Sequence, residues 1–146
     1  MKPRFPSFAR AAGAAVLCAA LPAGAADVVV QVSGIASADG RVDCALFVNA
    51  EGFPDDAARA SAQRHAADPS GVTCRFTDVP AGRAAVAVRH DANANGRLDK
   101  NFLGMPREAW GVSNGARPAL RAPRFDEAAV VIPAAATVEL RIELAR

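Results

Sequence analysis

The chain has 146 residues, 51% hydrophobic and 22% charged, a balance too apolar for a disordered segment and sufficient for one packed domain. Of its 17 basic residues three, Lys2, Arg4 and Arg10, precede the apolar run Ala11 to Leu21; taking them away leaves 14 bases against 15 acids. That near-neutral remainder excludes the concentrated positive surface of a nucleic-acid binder.

The basic start, the apolar run and the small residues Ala23, Gly24 and Ala25 predict a secretory signal peptide over residues 1–25, followed by a single domain over 26–146. The run is about eleven residues, short of the roughly twenty that span a bilayer, so no membrane span is expected after cleavage. Leu17 before Cys18 speaks against lipidation, which requires a small residue there. The expected location is therefore the periplasm or the exterior. Removal of Cys18 leaves Cys44 and Cys74, which in an oxidising compartment and without a CxxC spacing predict an intramolecular disulfide over free thiols or a thiol catalyst.

Alternation of apolar and polar residues then marks the strands. Val28, Val30 and Val32 share a face of the first, and Val42, Cys44, Leu46 and Val48 a face of the second. Asp39 and Gly40 between them read as a hairpin turn. From Glu51 to Asp68 the pattern is different: Asp55 and Asp56 lead an alanine-rich stretch ending in Arg64 and His65. Acids at the start and bases at the end suit a short helix, with a solvated excursion as the alternative. Val72, Cys74 and Phe76 define a third strand, and Arg83 to His90, after the Pro80 to Gly82 turn, a fourth. Ala128 to Ile132 and Thr137 to Leu144 complete six. The expected fold is all-β, an antiparallel sandwich of about six to seven strands, immunoglobulin- or transthyretin-like, with one long ordered loop.

That loop, Asp91 to Glu127, is too long to stand without anchors. Asp91, Asn93, Asn95, Gly96 and Asp99 follow the DxNxNGxxD spacing that gathers oxygen ligands around calcium, with the Arg97 carbonyl as a further ligand. Phe102 stands where such loops carry a bidentate glutamate, so Glu108, Asp126, Glu127 or water would close the shell. The alternative is that these residues build Asx and type I′ turns without metal. His90, Phe102 and Trp110 are the expected loop anchors, with Leu103, Met105 and Phe125 as further apolar plugs. His90 points by parity toward the core edge, where it would hold a loop carbonyl. Arg117, Arg121 and Arg124 form a basic cluster that could receive an anion.

The runs VPAGRAAVAVRHD (Val79 to Asp91), NANGRLDKNFLGMPREAWGVSN (Asn93 to Asn114) and PRFDEAAV (Pro123 to Val130) together resemble an uncharacterised bacterial exported family, domain of unknown function 2141 (DUF2141). The resemblance covers nearly all of the chain after the leader and implies a transthyretin-like or carboxypeptidase-regulatory-like sandwich. It implies no catalytic residues. Ala84 stands where the family usually has an aromatic residue after the turn.

Two function classes follow. The first is an exported, non-catalytic binding or interaction domain for a protein or small-molecule ligand, with calcium stiffening the loop. The second is a small periplasmic hydrolase using His90 with the loop carboxylates, by analogy of fold alone. Parity puts His90 and Asp91 on opposite faces and no GxSxG or HExxH motif occurs, so the first is the expectation.

Overall fold

The computed structural model describes residues 24–146; Cys18 and all but the last two residues of the expected leader lie outside them. Eight strands form two sheets: β1 (Ala26–Ser33), β2 (Arg41–Phe47), β3 (Ser61–Ala66), β4 (Val72–Val79), β5 (Gly82–Asp91), β6 (Trp110–Val112), β7 (Val130–Ile132) and β8 (Thr137–Glu143). One sheet has the order β4-β1-β8, the other β3-β2-β5-β6, with β7 paired to the start of β5. All pairs are antiparallel except β1 with β8, which run parallel. Among the described residues no helix is long and apolar enough to cross a membrane.

The expected alternation is what closes the sandwich. Val28, Val30 and Val32 of β1 meet Val42, Cys44 and Leu46 of β2, Cys74 and Phe76 of β4, and Val86 and Val88 of β5 in one buried core. Cys44 lies in one sheet and Cys74 in the other, and their disulfide joins the two across this core. A second, smaller core forms on the opposite face of the larger sheet. There Phe47, Ala85 and Val112 pack under Phe125 and Ala128 of the short helix α1 (Phe125–Ala128), with Phe53 set edge-on between Phe47 and Phe125.

Three expectations are corrected. The Asp39–Gly40 turn does not close a hairpin, because β1 pairs with β4 and β8 while β2 pairs with β3 and β5; the turn carries the chain from one sheet to the other. The helix between Glu51 and Asp68 is only a single 3-10 turn, Ala57–Arg59, capped by Asp56, whose carboxylate accepts the Ala58 N–H. The alanine-rich residues after it form β3, whose ladder satisfies the backbone groups along the edge of β2. Tertiary pairing here overrides a weak helical propensity. The Asp91 to Glu127 segment, finally, is not one loop, since it contains β6, a 3-10 turn at Ser113–Gly115 and the start of α1.

The inter-sheet bridge spans 30 residues of sequence. Replacing both cysteines by alanine should lower unfolding free energy by about 3.6 kcal/mol on the chain-entropy account. Urea denaturation of the Cys44→Ala/Cys74→Ala variant checks this, and a loss below about 1 kcal/mol would contradict it.

Candidate functional site

Strand β5 ends by delivering two adjacent polar side chains to opposite faces of its sheet. His90 turns inward and is 3% exposed; its Nε2 lies 2.8 Å from the Asp39 carbonyl oxygen, so it anchors the turn between the sheets and not the long loop. Asp91 turns outward yet is wholly buried. Its Oδ1 accepts the Asn95 N–H at 3.0 Å, and its Oδ2 accepts the Gly96 N–H at 2.8 Å and pairs with Arg41 Nη2 at 3.0 Å. A chain leaving a sheet exposes backbone donors that must be satisfied, and a buried carboxylate does so with charge-assisted bonds. Glu108, also buried, completes the arrangement: Oε1 accepts the Ala92 N–H at 3.2 Å and Oε2 the Asp99 N–H at 3.1 Å. Two carboxylates thus hold the Ala92–Asp99 turn by four of its backbone donors.

Two glycines permit this. Gly40 has φ +69°, and a Cβ there would stand 2.1 Å from the Asp91 carbonyl oxygen. Gly96 has φ +81° at the sharp bend read from the sequence.

On the exposed side of the turn the structure brings Asn93, Asn95 and Asp99 together. The amide nitrogens of Asn93 and Asn95 donate to the two Asp99 oxygens at 2.7 and 2.9 Å. Their own oxygens accept the N–H groups of Asn95 and Arg97 at 3.1 and 2.8 Å, as Asx turns do. Hydrogen bonds from Asn95 and then Asn93 hold the Asp99 carboxyl below its ordinary range. Each of these side-chain oxygens thus already accepts an N–H, and Asp99 is the charged member of the group. The oxygens of Asp91 and Glu108 are already committed to backbone N–H groups. Among the described residues no three His, Cys, Asp or Glu side chains converge.

Beyond Asp99 the apolar anchors are redistributed. Phe102 is 94% exposed and Leu103 71%, so neither anchors the loop, and Met105 is exposed as well. Asn101 holds this stretch instead: its Oδ1 accepts the Leu103 and Met105 N–H groups at 2.9 and 3.0 Å, which points the apolar side chains outward. Trp110 is half-buried, with the Arg117 guanidinium 4.2 Å over its ring. Phe125 is buried in the second core. Ser113 is structural: its buried Oγ accepts the Val86 N–H at 2.9 Å and donates to the Ala128 carbonyl. Of the basic cluster, Arg121 is locked in a two-pronged pair with Glu127, at 2.9 and 2.6 Å.

The outer face of the larger sheet carries a feature that the sequence did not disclose. Strand register sets Ala62, Ala45, Ala87 and Val112 side by side across four strands, and beside them the row Arg64, Asp43, Arg89 and Trp110. Asp43 lies 2.9 Å from both Arg41 Nε and Arg89 Nη2, and 3.9 Å from Arg64 Nε. Over the alanines lies a groove of about 660 Å³, walled by Leu98, Leu103 and Met105 on one side and by the 118–123 stretch on the other. The pairing of β2 with β5, which are not consecutive in the chain, joins the two halves of this row.

An all-β two-sheet sandwich with a long, carboxylate-pinned loop over one sheet is the class defined by this geometry. The family model described as "Uncharacterized protein conserved in bacteria (DUF2141)" matches residues 30–140, and the chain belongs to that family. No curated protein and no solved structure matches it.

Asp91→Ala should cost about 2–4 kcal/mol in urea denaturation, since it removes one of the two carboxylates paired with Arg41 and the buried acceptor of two backbone N–H donors; an unchanged midpoint would contradict the pinning role. A second expectation concerns pH. The Arg121 side chain, followed by the Arg124 N–H, lowers Glu127 from 4.5 to about 2. A depressed carboxyl contributes stability above its unfolded value and loses it as pH falls through the folded value. The contribution of this pair to ordering the 121–127 stretch should therefore be complete above pH 4.5 and fall away as pH drops from there to about 2. Carbon-detected NMR titration of Glu127 should give a midpoint near 2, and Arg121→Gln should move it upward.

Proposed function

We propose that the protein is an exported, non-catalytic binding domain whose long loop is stiffened by a weakly held calcium ion and whose ligand surface is the groove beside that loop. The observation that carries this is the pinning of the loop. Asp91 and Glu108 fix its backbone so that it forms one wall of the groove, and a wall held before binding lowers the ordering cost of taking up a ligand. The buried His90 and Ser113 have structural duties: His90 holds the Asp39 carbonyl and Ser113 the junction with Ala128. The inter-sheet disulfide is of the kind that oxidising compartments sustain, which supports export.

Asp99, Asn93 and Asn95, with the Arg97 carbonyl, would hold the ion, while Asp91 and Glu108 keep the turn in shape behind them. Calcium would supply charge neutralisation and rigidity. With few carboxylates the affinity belongs to the weak extracellular class, on the order of 0.1–1 mM.

Calcium at ten times its dissociation constant should raise stability by about 1.4 kcal/mol, visible as an increased Tm that Asp99→Asn abolishes. Magnesium should do less, because it demands tighter octahedral geometry. A melting curve indifferent to several millimolar calcium would remove the ion from this account. Hydrolytic turnover that His90→Ala eliminates would overturn the non-catalytic assignment.

A further inference from the structure

We infer that the groove over the alanine row is a binding site for small amphipathic anions, molecules with an aliphatic or aromatic body and one carboxylate or sulfonate end. This rests on the binding-domain reading and names its ligand class. The floor is apolar and low: Ala62, Ala45 and Ala87 offer only methyl groups on three adjacent strands, with Val112 beyond them. On either side the same face is filled, by the Phe47, Phe53 and Phe125 cluster at one end and by the Arg41, Asp43, Asp91 and Arg89 charges at the other. The trough between has a volume of about 660 Å³, inside the range of about 300–1,000 Å³ typical of small-molecule sites. Its wall residues Leu103 and Met105 stay 71% and 45% exposed, apolar surface that a ligand's hydrocarbon body would remove from water.

Charge selects the other end of the ligand. The lining holds six bases, Arg64, Arg89, Lys100, Arg117, Arg121 and Arg146, against the two acids Asp43 and Asp55. Asp43 is consumed by its arginines and Arg121 by Glu127. Among the described residues Lys100 and Arg117 have no carboxylate within salt-bridge distance. Arg117 sits over the Trp110 ring and bonds the carbonyls of Ala145 and Trp110, with two of its five N–H donors engaged. A planar cation fixed in advance, with donors to spare, matches a carboxylate or sulfonate.

Trp110 is the chain's one tryptophan and tyrosine is absent, so its emission reports on the groove directly. Titration of the leaderless protein with decanoate should give a saturable change at submillimolar concentration. Decanol, lacking the charge, and acetate, lacking the body, should each bind at least tenfold more weakly. Ala62→Phe, on an exposed edge strand, should raise the decanoate Kd at least tenfold with Tm unchanged, and Lys100→Gln or Arg117→Gln should shrink the preference for decanoate over decanol. Phosphatidylglycerol vesicles distinguish the source of the amphiphile: a response that Ala62→Phe also removes assigns it to a bilayer, and a response to decanoate alone assigns it to a free molecule. Absence of a saturable response up to 1 mM, wild-type affinity in Ala62→Phe, or equal affinity for decanol would overturn the inference. His90-dependent turnover would instead overturn the binding-domain reading, whichever way decanoate behaves.

Discussion

The carboxylate of Asp91 stands where β5 leaves its sheet, with no exposure to water, a guanidinium at 3.0 Å on one side and two backbone donors of the following turn on the other. A charge in such a place is tolerable only when its oxygens are matched by donors of fixed geometry. That requirement orders the chain around it. Arg41 must begin β2 directly opposite, as the register Arg41 to Asp91 provides, and residue 40 must lack a side chain so that the backbones can approach. Gly96 must bend to bring its N–H inward. Glu108 then repeats the device from the far side of the turn, and the chain between is fixed without an apolar plug.

With the loop fixed by polar bonds, its apolar side chains are released to other uses. Phe102 and Leu103 would be poor choices for a loop that merely had to stay closed, since water gains nothing from their exposure. Leu103 lies beside a trough floored by alanine, where its side chain offers apolar surface to a ligand. The electrostatics on this face follow from one carboxylate, Asp43, among Arg41, Arg64 and Arg89. The positive excess is a property of the groove, not of the protein, whose charges nearly balance once Lys2, Arg4 and Arg10 are set aside. Local sign thus carries information about a partner that net charge conceals.

Much of this architecture was legible in advance because it depends on local periodicity. Val28, Val30 and Val32, Val42 and Cys44, Cys74 and Phe76, and Val86 and Val88 all face the core as their alternation requires. The pairing of Cys44 with Cys74 followed from those faces and from the expected oxidising compartment. His90 could be placed because parity from Val86 and Val88 extends to it. Glu108 was visible only as a spare carboxylate, since no sequence pattern marks an acceptor for N–H groups sixteen and nine residues away. The expected anchoring by Phe102 failed because irregular spacing carries no directional information; Asn101, with its turn-forming side chain, was the better guide. Strand β3 was hidden by an alanine-rich composition that favours helix until a neighbouring strand edge competes for its backbone.

The amino-acid sequence by itself determined which residues are turned inward, where the chain must bend and which segment is rich in oxygen donors, because each of these is set within a few residues of chain. The tertiary structure alone decided what lies beside what: β1 parallel to β8, Arg41 against Asp91, three alanines in a row across β3, β2 and β5. Those contacts join residues far apart in the chain. They are selected by the global requirement that two sheets bury one core and satisfy every backbone donor together, a condition that no single segment contains.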